Sequence, residues 1–473
     1  MTDITIPDSV TDIGDFAFAR TSWLAAKQEN DPLVIVNGML IDGTACSGDI
    51  TIPDGVTRIG NHAFEFCKKL TGITIPDSVT RIGDQAFYYC LSLADITISD
   101  SVTSIGYGAF ENCEALTSIT IPDGVTSISG SAFNYCYGLT SITLPDSVTS
   151  IGDFAFEHCV SLKSITIPDG VTSIGEWAFS SCDSLTGITI PNSVTSIGEY
   201  AFSYCKNLTS ITLPDNMTSI SDYAFSHCLK LTNITIPDSV TSIGEFAFEN
   251  CEALTSITIP DSVTSIGDYV FKDCKNLTSI TIPDNVMRIG DYVFKDCKSL
   301  TSITISDGVT SIGKCAFGWC SSLTSVTIPD SVISIGDEAF FECGLTSVIV
   351  EGDTPAELGY HVFYHTNDDM VIYVPAAAIE DYKQAAGWVE YAKQLLPYDK
   401  LPEPENMQVT LWGDANCDGS IDVSDAVLLA RFCTEDSTAA ITDQGKQNAD
   451  VNQDGNIELD DVTAILRKIA KLD

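Results

Sequence analysis

Apolar positions recur along most of this chain with a period of 23 residues. The unit reads L-x-x-I-x-I-P-D-x-V-x-x-I-G-x-x-A-F-x-x-C-x-x, as in LTSITIPDSVTSIGEFAFENC. Its Pro falls at Pro53 and Pro76, runs without slippage from Pro122 to Pro283, and returns at Pro329, with Ser99 and Ser306 filling the two gaps. Pro7 begins one further repeat, which an insertion around LVIVNGMLIDGTACSGD stretches before Ile50. LTSITI alternates apolar and polar residues and is rich in β-branched types, which predicts a short strand. PDS or PDG predicts a turn, with Pro setting φ and Asp capping the following amides. VTSIG predicts a second extended piece. GEFAFENC is too short for a full α-helix and predicts a 3₁₀ or single helical turn.

One unit cannot bury its own Leu, Ile, Val, Phe and Cys, whereas stacked units make a continuous core, so residues 1–350 are expected to form a solenoid. The L-x-x-I-x-I phrase resembles the leucine-rich repeats, and the IPxxVxxIGxxAFxxC form resembles their BspA-like branch. That resemblance implies a β-rich solenoid of parallel strands and short turns, with adhesion and protein binding as its roles and no enzymatic chemistry. Residues 351–396 break the period, mixing strand-like VIYV with helix-like AAAIEDYKQAA and WVEYAKQLL, and are read as an α+β cap over the last hydrophobic layer. Residues 397–410, rich in Pro and acids, are read as a stiff linker. Residues 411–473 form a separate module.

Net charge narrows the partners. At −42 over 473 residues, the chain is not expected to bind nucleic acid or an anionic membrane. No apolar run approaches the roughly 20 residues of a spanning helix. Met1 stands directly against a repeat, so the sequence reads as trimmed of a leader and of upstream repeats.

The repeated side chains are mostly structural on this reading. Of 17 cysteines, thirteen recur every 23 residues from Cys67 to Cys343. They are read as small apolar core residues, since C-x₂-C clustering is missing. So many thiols in a secreted protein would suit an anaerobic setting. The Thr column from Thr51 to Thr327 suits a half-exposed sheet. One column is less regular. Two residues after the repeat's Gly, seven successive units carry an aromatic: Phe154, Trp177, Tyr200, Tyr223, Phe246, Tyr269 and Tyr292. Flanking repeats use Gln85, Gly108, Ser131 or Glu338 there. These rings are expected to lie in one partly exposed line, about 4.8 Å apart. They are either packed between turns or a candidate ligand stripe for a glycan or protein.

Catalysis has little to draw on. The five histidines, His62, His158, His227, His361 and His365, form no HExxH and no nucleophile–base pattern, and the acids recur as surface residues. The chain is read as a non-enzyme.

The C-terminal module carries a different chemistry. Asp414, Asn416, Asp418, Ser420, Asp422 and Asp425 occupy positions 1, 3, 5, 7, 9 and 12 of a loop with Gly419 at the bend. Asp450, Asn452, Asp454, Asn456, Glu458 and Asp461 repeat the pattern around Gly455. Oxygen donors at alternate positions of a tight loop suit a hard cation, so two Ca²⁺ ions are expected. An ordinary EF-hand has Glu at position 12 and a helix on both sides; here position 12 is Asp, and a helix is evident only after each loop. With the Trp412-Gly413 lead-in, residues 411–473 resemble an all-α type I dockerin. The resemblance implies a cohesin module of a scaffoldin as partner. It implies contacts through Val423, Ser424, Ala430, Arg431 and Glu435 in the first half, and Leu459, Asp460, Leu466, Arg467 and Lys471 in the second. It further implies a secreted, extracellular protein attached to a cellulosome or cell surface. Cys417 departs from the family's Gly at position 4, and the two halves differ at positions 10, 11 and 22, which speaks against symmetric dual binding. The solenoid is then a cargo whose own ligand is a protein, or alternatively a plant-wall glycan or an enzyme to be inhibited.

Overall fold

The computed structural model describes residues 4–400 and, beyond them, Ala426, residues 428–430, Cys433, Ala449, residues 461–463, Ile465 and Leu466. The chain divides into two compact units, Met1–Lys400 and Leu401–Asp473.

The first unit is a parallel-strand solenoid of about 16 turns. In a representative repeat, Leu185, Ile188, Ile190, Val194, Ile197, Ala201, Phe202 and Cys205 are all buried. These are the positions that the 23-residue pattern makes apolar. Strand Gly187–Thr189 pairs in register with Ser210–Thr212 of the next repeat, and Ser196–Ile197 pairs with Ser173–Ile174 of the one before. Two parallel columns of short strands result. The intervening turn is closed by the backbone, Val194 N–H to Pro191 O at 3.0 Å. Asn192 stands here where most repeats have the Asp expected to cap that turn, and its Oδ1 accepts from Asp215 N of the next repeat at 3.2 Å.

The third segment differs from its expected form. Its i→i+3 bonds are present, as Ser203 N–H to Tyr200 O at 3.0 Å, but Tyr200 and Tyr204 have φ of +56° and +59°. A left-handed residue every fourth position prevents a helix. The reason lies between repeats: N–H groups of Tyr200, Phe202 and Tyr204 point forward and donate to Asp222, Ala224 and Ser226 O of the next repeat at 2.8–3.1 Å. The turns approach closely at the repeat's Gly, where a Cβ on Gly198 would lie 2.5 Å from Glu176 N; the two repeats with Ser there, Ser129 and Ser221, use the hydroxyl to donate to Ile105 O and Ile197 O at 2.6 Å.

Core side chains stack in columns. Fourteen Phe rings, Phe64 to Phe363, follow one another at 5.0–5.9 Å with planes within 13°. Each repeat cysteine from Cys90 to Cys343 is buried and unbridged, its Sγ 3.0–3.3 Å from the Phe carbonyl of the preceding turn. The thiol is thus both a small apolar filler and a weak donor.

Both ends of the column are closed. At the C-terminal end, strands Ser347–Val350, Val371–Val374 and Leu395–Pro397 continue the parallel sheet through the residues read as a cap. Tyr382, from the helix Ile379–Gln384, and Trp388 are fully buried and donate to Gly352 O and Ala356 O at 2.8 and 2.7 Å. Tyr398 donates to Val350 O, so residues 397–400 sit with this unit. At the N-terminal end the insertion supplies a helix, Ser22–Asn30, capped by Thr21, and an antiparallel hairpin, Val34–Val36 with Met39–Asp42. Met39 and Leu40 then pair in parallel with Arg58 and Ile59.

Candidate functional site

The seven aromatic side chains do lie in one line, and all are half-buried. From Trp177 to Tyr292 successive ring centroids are 4.0–4.6 Å apart with planes within 10°; Phe154 joins at 6.3 Å. Each ring therefore offers its faces to its neighbours, and what remains for solvent is a row of edges. Sugar stacking needs a ring face, so this geometry favours packing between turns over a glycan platform. The acids beside the rings are engaged as well. Asp153, Asp222, Asp268 and Asp291 each accept from a backbone N–H of the next turn at 2.8–2.9 Å. Burial, and then the neighbouring Tyr200 phenol, push the Tyr223 hydroxyl up to about 12. Lys295 bridges the end of the row, with Nζ 5.8 Å from the Tyr292 ring and 4.6 Å from that of Trp319.

The stack has a mechanical consequence. Tyr223→Ser removes ring contacts to Tyr200 and Phe246, and stacked pairs are worth about 0.5–1.5 kcal/mol each beyond area. Urea unfolding should show a loss of about 1–3 kcal/mol; a change within about 0.5 kcal/mol would mean that the rings do not hold the turns together.

A second column escaped the sequence reading. Four residues after the stripe, Tyr135 stacks on His158 at 4.6 Å and Tyr204 on His227 at 4.4 Å. The available signal was the recurrence of aromatic or His residues at that spacing. Beside it lies a Ser–His–Glu group. Ser226 Oγ is 2.8 Å from His227 Nδ1 and 3.4 Å from Glu249 Oε2, while Lys272 Nζ holds Glu249 Oε1 at 2.7 Å. The serine sits between base and acid and is itself buried, the wrong order for a nucleophile. Burial lowers the basicity of His227 and outweighs the nearby Glu249 carboxylate.

In the second unit, Ala426, Leu429, Ala449 and Ile465 form a small core with Cys433 and Val462 against it. Of the residues expected to ligate calcium, Asp461 is described: it is helical and buried. The other eleven, Asp414, Asn416, Asp418, Ser420, Asp422, Asp425, Asp450, Asn452, Asp454, Asn456 and Glu458, lie outside the described residues. Of the expected cohesin face, Ala430 is half-buried and Leu466 is 46% exposed. Val423, Ser424, Arg431, Glu435, Leu459, Asp460, Arg467 and Lys471 lie outside the described residues.

Comparison with known proteins bears on both units. The family model for the BspA type leucine rich repeat region matches residues 1–30, 43–145, 126–255 and 241–368. The chain belongs to this family. Residues 412–470 match the type I dockerin domain. A leucine-rich repeat protein of Bacteroides ovatus of known structure is 30% identical, with a TM-score of 0.58, over 74% of this chain and 94% of that one. A leucine rich cell surface protein of Faecalibacterium prausnitzii is 35% identical, with a TM-score of 0.40, over 64% of this chain and 79% of that one. Among curated proteins, a xylanase/beta-glucanase of Ruminococcus flavefaciens is 39% identical over 72 residues, 13% of this chain and 9% of its own length. The match falls in the dockerin region, so the chain spans under a tenth of that relative. BspA-type repeats and a type I dockerin together support cellulosome-type protein–protein interaction, and repeat proteins of this kind are typically non-enzymatic. Among the described residues, no helix is long and apolar enough to cross a membrane.

Proposed function

We propose that this protein is a non-catalytic cellulosome component, secreted by an anaerobic bacterium. Its dockerin binds a scaffoldin cohesin and depends on two Ca²⁺ ions. Its solenoid displays a protein-binding or adhesive surface. The observation that carries the reading is the type I dockerin match over residues 412–470 beside an array of BspA-type repeats. The donor set supports calcium: each loop brings carboxylates and amides at alternate positions, which fit a hard, oxygen-seeking cation. Asp414, Asn416, Asp418, Ser420, Asp422 and Asp425 would hold one ion, and Asp450, Asn452, Asp454, Asn456, Glu458 and Asp461 the other. For the solenoid, a protein partner is favoured over a glycan, because the aromatic row from Phe154 to Tyr292 presents edges rather than faces.

The test is capture of the full chain on a panel of cohesins in calcium. Arg recurs at the same helix position in both halves, and its planar multi-donor head suits an interface anchor. Arg431→Ala or Arg467→Ala, whichever half is engaged, should weaken the responsive cohesin by about 1–3 kcal/mol. Unchanged affinity in both variants and in their combination would show that another face is used.

A further inference from the structure

The N-terminal insertion does more than cap the column. Its hairpin takes the place that the first repeat would occupy, pairing Met39 and Leu40 with Arg58 and Ile59. Gly43 then donates to Ala63 O at 2.6 Å, the bond that Phe64 makes to Ala86 one turn later. Glycine is needed there, since a Cβ on Gly43 would fall 2.2 Å from the Phe64 ring. The first repeat is displaced sideways. Among the described residues no backbone hydrogen bond joins residues 4–20 to the turn at 60–67. Asn37 Nδ2 tethers it through Pro7 O and Val10 O, and Arg58 pairs with Asp12 at 3.3 Å.

Between the displaced turn and the solenoid opens a cavity of about 240 Å³. The apolar part of its lining comes from Phe16 and Phe18 of the displaced turn, Leu24 of the helix, Met39 and Ile41 of the hairpin, and Phe66 of the solenoid. Three carboxylates line it, those of Asp15, Asp42 and Glu65, and no Lys or Arg does. His62 stands among them, its ring 4.5 Å from that of Phe16. Its Nδ1 is shut off from solvent and lies 3.1 Å from Glu65 Oε2 without hydrogen-bond alignment; its Nε2 is 4.0 Å from Asp15 Oδ2. Asp42 Oδ1 is occupied by Gln28 Nε2, Thr44 N and Thr44 Oγ1.

We propose that this cavity binds an organic cation carried on an apolar stem, an ammonium or guanidinium group of the kind that ends a lysine or arginine side chain. Glu65, largely withdrawn from water, and Asp15 at the open rim favour a positive charge and repel an anion. Aromatic walls accept both the stem and, over a ring face, the charged head. A purely apolar guest would desolvate the acids without offsetting them. A bare metal ion fits poorly, because among the described residues no three His, Cys, Asp or Glu side chains converge as ligands. The site lies outside the aromatic row from Phe154 to Tyr292.

Titration calorimetry on the full chain at pH 8 tests this with four probes. Nα-acetyl-lysine methylamide and Nα-acetyl-arginine methylamide stand for a partner's side chain, cadaverine for a free amine, and Nα-acetyl-norleucine methylamide for an uncharged stem. At least one cationic probe should bind, with the norleucine probe at least about tenfold weaker. Preference for the amino-acid amides over cadaverine would indicate a peptide source, and the reverse a free amine; either supports the site. Asp15→Asn, at an exposed position, and Glu65→Gln should each weaken binding about fivefold or more, while Trp177→Ser should leave it unchanged. The proposal fails if no cation binds up to about 10 mM, if norleucine binds equally well, or if Asp15→Asn in a normally melting protein has no effect.

Discussion

Removing calcium from the full chain is expected to abolish cohesin capture and to unfold the C-terminal unit, while the solenoid keeps its melting transition. The two loops crowd eight carboxylates, Asp414, Asp418, Asp422, Asp425, Asp450, Asp454, Glu458 and Asp461, into a 63-residue module. Its described core is four buried side chains, Ala426, Leu429, Ala449 and Ile465. A module of 63 residues buries too little apolar surface to outweigh the mutual repulsion of those acids. An ion present at about a thousand times its dissociation constant adds about 4 kcal/mol per site, enough to carry the folding of a module this size. The solenoid core is built from Phe, Leu, Ile, Val and Cys and contains no comparable charge. Calorimetry with and without chelator should show one transition lost and one unmoved. Dispersed, native-like NMR signals from the apo C-terminal unit would refute the expectation.

Alkaline conditions should destabilise the solenoid far more than an ordinary acidic protein. Burial pushes the repeat thiols up, with Cys67 at about 11, Cys136 and Cys205 at about 12, and Cys113, Cys159 and Cys182 well above the ordinary range. In the unfolded chain a thiol ionises near pH 8.5. The folded form therefore retains protons that the unfolded form releases, and stability falls as pH rises. It is fully present below about pH 8.5 and is lost progressively as pH climbs through 9 toward the folded values. Each thiol contributes about 1.4 kcal/mol per pH unit across that window. Several per cooperative block amount to several kcal/mol between pH 8 and 10, and because repeats interact chiefly with their neighbours, the loss should appear as a broad, low-temperature transition. Thiol labelling gives a second readout: the buried repeat cysteines should resist iodoacetamide in the native protein at pH 8 and react on unfolding. An unchanged melting temperature at pH 10, or labelling of native protein at the unfolded rate, would contradict this.

The stack of rings shows where reading a sequence stops. That seven aromatics would lie in one line followed from the 23-residue register alone. Whether they face one another or the solvent depends on how far apart the turns bring them. With left-handed backbone at Tyr200 and Tyr223, the forward N–H bonds hold successive turns close enough for rings to stack at 4.0–4.6 Å. A partner's view of this face is consequently one of edges and hydroxyls. The same geometry takes up Asp153, Asp222, Asp268 and Asp291 as caps for the next turn, a role that no local pattern announces.

By itself the sequence determined the repeat length, the set of buried positions and the parallel stacking, because a period repeated in register leaves each apolar column only its own copies to pack against. It likewise determined the core role of the cysteines and the donor pattern of the C-terminal loops, since both depend on residue type at a fixed spacing. Tertiary structure alone decided which strand the insertion would imitate. Hairpin residues Met39–Asp42 and Gly43 compete with the first repeat for one edge of the sheet, and the winner is set by pairing to Arg58–Ile59 and by the fit of Phe64 over a glycine, contacts between residues about 20 apart. The displaced repeat leaves a cavity whose acids and rings come from three separate segments, so no stretch of chain carries its signature.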